Sequence, residues 1–127
     1  MPATYEVSAE VTFAASHQLR DQQSVPEPLH GHNFRVEAYV GAETLSELGL
    51  VVDFLDLERE LREVVAPYDH RHLNDLPPFD ALNPTTENLA RFFHQELSRR
   101  LDDGSGRVRV SRIRVWEAPT YSATYQQ

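Results

Sequence analysis

Two stretches of strict two-residue alternation set the tightest limit on how this chain folds. In residues 4–13, TYEVSAEVTF, the side chains of Tyr5, Val7, Ala9, Val11 and Phe13 fall on one side. In residues 32–41, HNFRVEAYVG, Phe34, Val36, Ala38 and Val40 do the same. Successive side chains of a strand point to opposite faces, so each stretch reads as a strand with one apolar face that must find a core. Two such strands are expected to pair as an antiparallel hairpin. The segment between them, residues 15–30, is too long for an ordinary hairpin loop, and long loops are functional or disordered more often than not.

The rest of the chain supplies what covers that face. Asp53 is placed to cap a helix running to about Val65, with Leu57, Leu61, Val64 and Val65 as its apolar stripe and Pro67 as its stop. Residues 66–84 read as irregular and hold Pro77, Pro78 and Pro84. A second helix starts at PTTEN, capped by Thr85 or Thr86. Glu87 sits in its first turn, and Leu89, Phe92, Phe93, Leu97 and Leu101 form its apolar face. After the turn DDGSG comes a strand over 107–117, whose apolar parity shifts between Val110 and Ile113, as a bulge would make it. A last strand covers about 121–126. The order strand, strand, helix, helix, strand, strand predicts one α+β domain over 1–127: a four-stranded antiparallel sheet with two helices on one face.

Composition removes several function classes. There is no cysteine, which excludes disulfides, thiolate metal ligands and a thiol nucleophile. The formal net charge is −8 and every basic residue is arginine. An acidic chain is a poor general binder of nucleic acid, because phosphate contacts supply most of that affinity. No apolar run approaches a membrane span, and the N-terminal stretch lacks the layout of a signal peptide. The expectation is a cytoplasmic protein without nucleic-acid or membrane partners.

Three groups of residues have the chemistry for a site. His30 and His32 are two apart where the second strand begins, so their side chains point the same way. His17 lies just past the end of the first strand, and hairpin pairing would bring it to the other two. Three imidazoles with an open fourth position are a recurrent catalytic zinc arrangement. Spacing alone also allows three solvated strand-end histidines. In YDHRHLND, residues 68–75, Asp69 beside His70 has the make-up of an oriented acid/base pair, and His72 is an alternative to His70. A polar capping loop is the commoner use of such a stretch. Glu117, after Val115 and Trp116, is a carboxylate suited to the paired N–H donors of a heterocycle edge, although a solvent-facing strand residue is the commoner case. His94 lies among apolar helix positions and is read as structural.

These clusters occur together in one family. The chain resembles the 6-pyruvoyl-tetrahydropterin synthase and 6-carboxytetrahydropterin synthase family in FAASH at 13–17, LHGHNF at 29–34, VVDF at 51–54, YDHRHLND at 68–75, NPTTENLA at 83–90 and VWEAPTYSA at 115–123. The resemblance implies the tunnelling fold and Zn2+ on His17, His30 and His32. It further implies Asp69 and His70 as the proton-transfer pair, Glu117 as the pterin anchor, and Thr85, Thr86 and Glu87 as further substrate contacts. It implies a homohexamer with active sites at subunit interfaces. One departure matters. The cysteine usual in the family falls four residues before the first histidine of HGH, where this chain has Pro26. Its neighbour Glu27 gives E-P-L-H-G-H, which resembles the branch that uses glutamate in an ExxHGH motif. That branch cleaves 7,8-dihydroneopterin triphosphate to 6-hydroxymethyl-7,8-dihydropterin for folate synthesis, which would make Glu27 catalytic. Competing expectations are 6-carboxytetrahydropterin synthesis in the queuosine pathway, which the missing cysteine opposes, and a catalytically silent pterin- or metal-binding oligomer. Arg20 and Arg71 are candidates by position for the triphosphate.

Overall fold

A computed structural model describes residues 5–20 and 28–127. Strand β1 (Tyr5–His17) pairs antiparallel with β2 (His30–Ala42), in an unbroken register from Tyr5 opposite Ala42 to His17 opposite His30. Both strands reach further than their apolar alternation does, because the ladder carries through residues 14–17 and 30–33. Helix α1 (Phe54–Val65) follows, then a two-residue strand β3 (Arg71–His72), helix α2 (Thr86–Leu101), β4 (Val108–Ala118) and β5 (Tyr121–Gln126). The sheet order is β3-β1-β2-β4-β5.

The α+β class and both helices stand as expected, but the sheet has five strands and is mixed, not four and antiparallel. The fifth strand is β3, which lies parallel to β1 with Ala15 opposite Arg71 and Ser16 opposite His72. Two residues are too few to show a period, so nothing in the sequence distinguishes them from loop. The predicted bulge is present. Tyr39 pairs with Arg112 and Val40 with Val110, leaving Ser111 as the extra residue on β4.

The core sits between the helices and one face of the sheet. Phe13 and Phe34 stack at 5.1 Å between centroids, and Phe93 from α2 meets Phe13 edge-on at 5.7 Å. Leu57 and Leu61 of α1 and Leu89 and Leu97 of α2 close the layer, all fully buried. Asp53 caps α1 by accepting from the Leu55 N–H at 2.8 Å, and Thr85 caps α2 by accepting from the Asn88 N–H at 3.1 Å. The buried rows of β1 and β2 run toward the sheet end where the histidines lie: Val11, Phe13, Ala15 and His17 on one strand, Val40 back to Phe34 on the other.

Candidate metal centre

The unbroken β1–β2 register makes His17 and His30 cross-strand partners, and His32 follows on the same face two residues along. The three imidazoles converge as the spacing predicts. Ring centroids are 4.6 Å apart for His17 and His30, 5.2 Å for His17 and His32, and 4.6 Å for His30 and His32. A fourth donor joins them. Glu117 Oε1 lies 3.2 Å from His17 Nε2 and 3.5 Å from His32 Nε2. One ligand atom from each of the four residues falls within 4.8 Å of the others. Glu117 follows Ile113 and Val115 at two-residue spacing on β4, whose pairing with β2 sets Trp116 opposite Arg35, and it sits at a second bulge. Trp116 pairs with Ser122 and Ala118 with Tyr121, so Glu117 has no opposite number on β5.

Hydrogen bonds to main-chain carbonyls set the histidine tautomers. His17 Nδ1 lies 2.9 Å from the Pro84 carbonyl, and His30 Nδ1 lies 3.0 Å from the Pro28 carbonyl. A carbonyl only accepts, so Nδ1 carries the hydrogen and the neutral ring offers its Nε2 lone pair. His17 is completely buried, and its Nε2 makes no hydrogen bond. It faces a carboxylate oxygen instead. Two electron pairs at this distance repel unless a proton or a metal ion lies between them, and Nε2 makes no hydrogen bond in this geometry. Metal bonds of about 2.1 Å to a tetrahedral ion give donor–donor edges of about 3.4 Å. The 3.2 and 3.5 Å separations match such edges. Three imidazole nitrogens and one carboxylate oxygen therefore fit a borderline divalent metal, as the resemblance implies for zinc.

The Asp69–His70 pair is also formed. Asp69 Oδ1 lies 3.0 Å from His70 Nδ1 and accepts the Ala14 N–H at 3.0 Å. That main-chain donor, with His70 beside it, holds the Asp69 carboxyl below its ordinary pKa. His70 adopts φ 59°, a left-handed conformation uncommon for a residue with a side chain, and its N–H donates to the Ala14 carbonyl at 2.6 Å. His72 takes a different position. Its Nδ1 is 2.9 Å from Ser16 Oγ, so it is not the partner of Asp69.

Two open clefts meet at His32. One, of about 480 Å³, is lined by Ser16, Gly31, His32, Asn33, His70 and His72 among others. The other, of about 520 Å³, runs from His32 and Glu117 past Trp116 to Arg35. Gly31 borders both. A Cβ on Gly31 would meet the Ala15 carbonyl at 3.5 Å, an ordinary contact, so glycine is not required there for close chain approach within one subunit.

Other expected site residues stand elsewhere. Thr85, Thr86 and Glu87 border neither cleft. The start of α2 reaches the histidines through the Pro84 carbonyl instead. Glu27, with Pro26, lies outside the described residues. The Arg20 guanidinium donates to the carbonyls of Phe79, Asp80 and Leu82, which makes it a structural tie, while Arg71 is exposed at the first cleft. His94 is buried with Nε2 2.9 Å from the Val110 carbonyl, in keeping with a structural role. Sequence reasoning missed two asparagines that fix the end of β1. Asn74 exchanges two hydrogen bonds with the Gln18 main chain, at 2.9 and 2.8 Å. Asn83 does the same with Arg20, at 2.8 and 3.0 Å.

Comparison with known proteins gives a consistent set of likenesses. The family described as 6-pyruvoyl tetrahydropterin synthase matches residues 6–127. A Pyrococcus furiosus protein named dihydroneopterin monophosphate aldolase is 36% identical, over 84% of this chain and 83% of its own. An Aquifex aeolicus protein named 6-carboxy-5,6,7,8-tetrahydropterin synthase is 29% identical, over 97% of this chain and 98% of its own. Among solved structures, that of Caenorhabditis elegans 6-pyruvoyl tetrahydropterin synthase superposes with a TM-score of 0.77 at 23% identity, covering 100% of this chain and 99% of that one. At that identity the likeness establishes the fold.

Proposed function

The chain belongs to the 6-pyruvoyl tetrahydropterin synthase family, and from that premise we propose that it cleaves the side chain of a phosphorylated 7,8-dihydroneopterin, the triphosphate first, to 6-hydroxymethyl-7,8-dihydropterin. The observation that carries this reading is the convergence of three imidazoles in a chain that has no cysteine. The aldolase name of the Pyrococcus relative supports the same bond cleavage, on a monophosphate.

His17, His30 and His32 hold zinc in this reading. Bound there, the metal would act as a Lewis acid toward a side-chain hydroxyl and lower its pKa. The chain's own groups do the rest. Glu117 accepts the paired N–H donors of the pterin's amino-pyrimidine edge. A proton leaves the hydroxyl on the second side-chain carbon, and the oxygen's electron pair becomes the carbonyl of the departing fragment. The bond between the first and second carbons breaks, its electrons pass into the pterin ring, and the first carbon gains a proton. The products are hydroxymethyl-dihydropterin and a phosphorylated glycolaldehyde, so atoms balance. Glu27 and the Asp69–His70 pair are the proton carriers. Asp69, held ionised by Ala14, orients His70, and His70 does the transfer.

The active form is proposed to be a homohexamer with sites between subunits. The outer edge of β1 before Ala15 and the outer edge of β5 have no strand partner among the described residues, and closed rings remove such edges.

The test incubates zinc-loaded protein with dihydroneopterin triphosphate and, separately, the monophosphate, and identifies products by mass spectrometry. The expected product is 6-hydroxymethyl-7,8-dihydropterin, and the faster substrate identifies the phosphorylation state. Glu27→Gln should lose about 10²–10⁴-fold in rate at unchanged metal content. A 6-carboxy product would move the protein to the activity of its Aquifex relative. No turnover of either ester would leave only a binding role.

A further inference from the structure

We propose that Glu117 is the fourth ligand of the metal in the free protein, and that a pterin opens the site by drawing this carboxylate away. The inference rests on the metal reading above and adds to it a function for Glu117 that its sequence position does not suggest. Three observations carry it. Glu117 Oε1 approaches two imidazole Nε2 atoms at once, at 3.2 and 3.5 Å, which are the edges of one coordination tetrahedron. The Pro84 carbonyl takes the His17 Nδ1–H, and the buried Nε2 makes no hydrogen bond although a carboxylate oxygen faces it, an arrangement that a metal ion between them would complete. The same side chain borders the cleft of about 520 Å³ that leads to Trp116 and Arg35, so it faces metal and ligand space together.

The two duties exclude each other. A heterocycle with adjacent N–H donors takes both oxygens of a carboxylate in a bidentate pair. With Oε1 on the metal, only one oxygen is left. The pterin edge therefore competes with the metal for Glu117. Four protein ligands make a closed, structural type of site, and three with an open position make a catalytic one. Pterin recognition and the vacating of a coordination position for the substrate hydroxyl become one event. The bulge at Glu117 provides the freedom, because the residue has no opposite partner on β5 to hold it in register.

Cobalt(II) is the probe metal, since its visible absorption reports coordination number, and 6-methylpterin is the ligand, since it has no side-chain hydroxyl to offer the metal. Cobalt-loaded wild type should show an intense four-coordinate spectrum that changes as 6-methylpterin saturates. Glu117→Gln should bind cobalt at least about 10–100-fold more weakly, the cost of losing even an outer partner. Its spectrum should differ from wild type and ignore 6-methylpterin. A Glu117→Gln protein with wild-type affinity and spectrum overturns the proposal and leaves the three-histidine site standing. So does a wild-type spectrum unmoved by 6-methylpterin whose binding is confirmed by fluorescence quenching, an arm that needs no variant. A folded wild type that takes up no cobalt overturns the metal reading and this inference with it.

Discussion

His70 shows how a single residue can be costly to the fold and useful to the site. Its left-handed backbone costs about 1–3 kcal/mol in a residue with a side chain. The reward is an imidazole exposed at the cleft and held by Asp69. His70→Gly should therefore raise unfolding stability by about 1 kcal/mol in denaturant titrations while activity drops about 10²–10⁴-fold. A variant both less stable and fully active would contradict both roles. Asp69 gives a pH prediction. Its folded pKa lies below that of the unfolded chain, about 3.9. Its contribution to stability is thus complete above that value and is lost as pH falls through the lower folded one. Carboxyl-carbon NMR should find its midpoint under 3.9, and Asp69→Asn should leave stability unchanged in its pH slope from 5 to 8. At this scale the sequence was legible where chemistry follows spacing, as with His17, His30 and His32. It was silent where a main-chain atom acts, as the Pro84 carbonyl does on His17, because every residue has a carbonyl and only the fold selects one.

Among elements, the two helices were the most legible, since Asp53 and the pair Thr85 and Thr86 announce their starts and the apolar stripes their lengths, and the structure chooses Thr85. Both caps are made as read. Thr85→Ala should cost about 1 kcal/mol of stability, the usual loss for a missing N-cap, measurable by urea titration. The variant should also bind metal more weakly, because Pro84, next to the cap, is what orients His17. Unchanged metal affinity would detach the helix start from the site. The bulge at Ser111 was legible as a break in apolar parity. The one at Glu117 was not, because it lies near a strand end beyond the last buried position, where no alternation remains to be broken. Strand β3 was illegible for the same reason of length. The carboxylate of Glu117 could be seen in the sequence, but its closeness to the histidines depends on the pairing of β4 with β2, which sets Trp116 opposite Arg35.

At the scale of the whole molecule, the described residues leave two sheet edges without a strand partner, on β1 before Ala15 and on β5, and copies of a chain of net charge −8 complete them only if paired main chains outweigh the repulsion of like charge. Light scattering at micromolar concentration should give the mass of six chains, and a monomer would contradict ring closure. Finally, the contact between His17 and Pro84 joins residues 67 positions apart, tying the last residue of β1 to the doorstep of α2. Whatever grips His17 on one side therefore also fastens a helix on the other. By mass action, an ion present at a hundred times its dissociation constant adds about 2.7 kcal/mol to the native state alone. Removing it with a chelator should lower the melting temperature, and amide exchange should quicken first at Asn88 and Leu89, in the opening turn of α2. The ion would then be a rivet of the architecture as well as a tool of the chemistry, and starvation for metal would reach this protein first as a loosened helix.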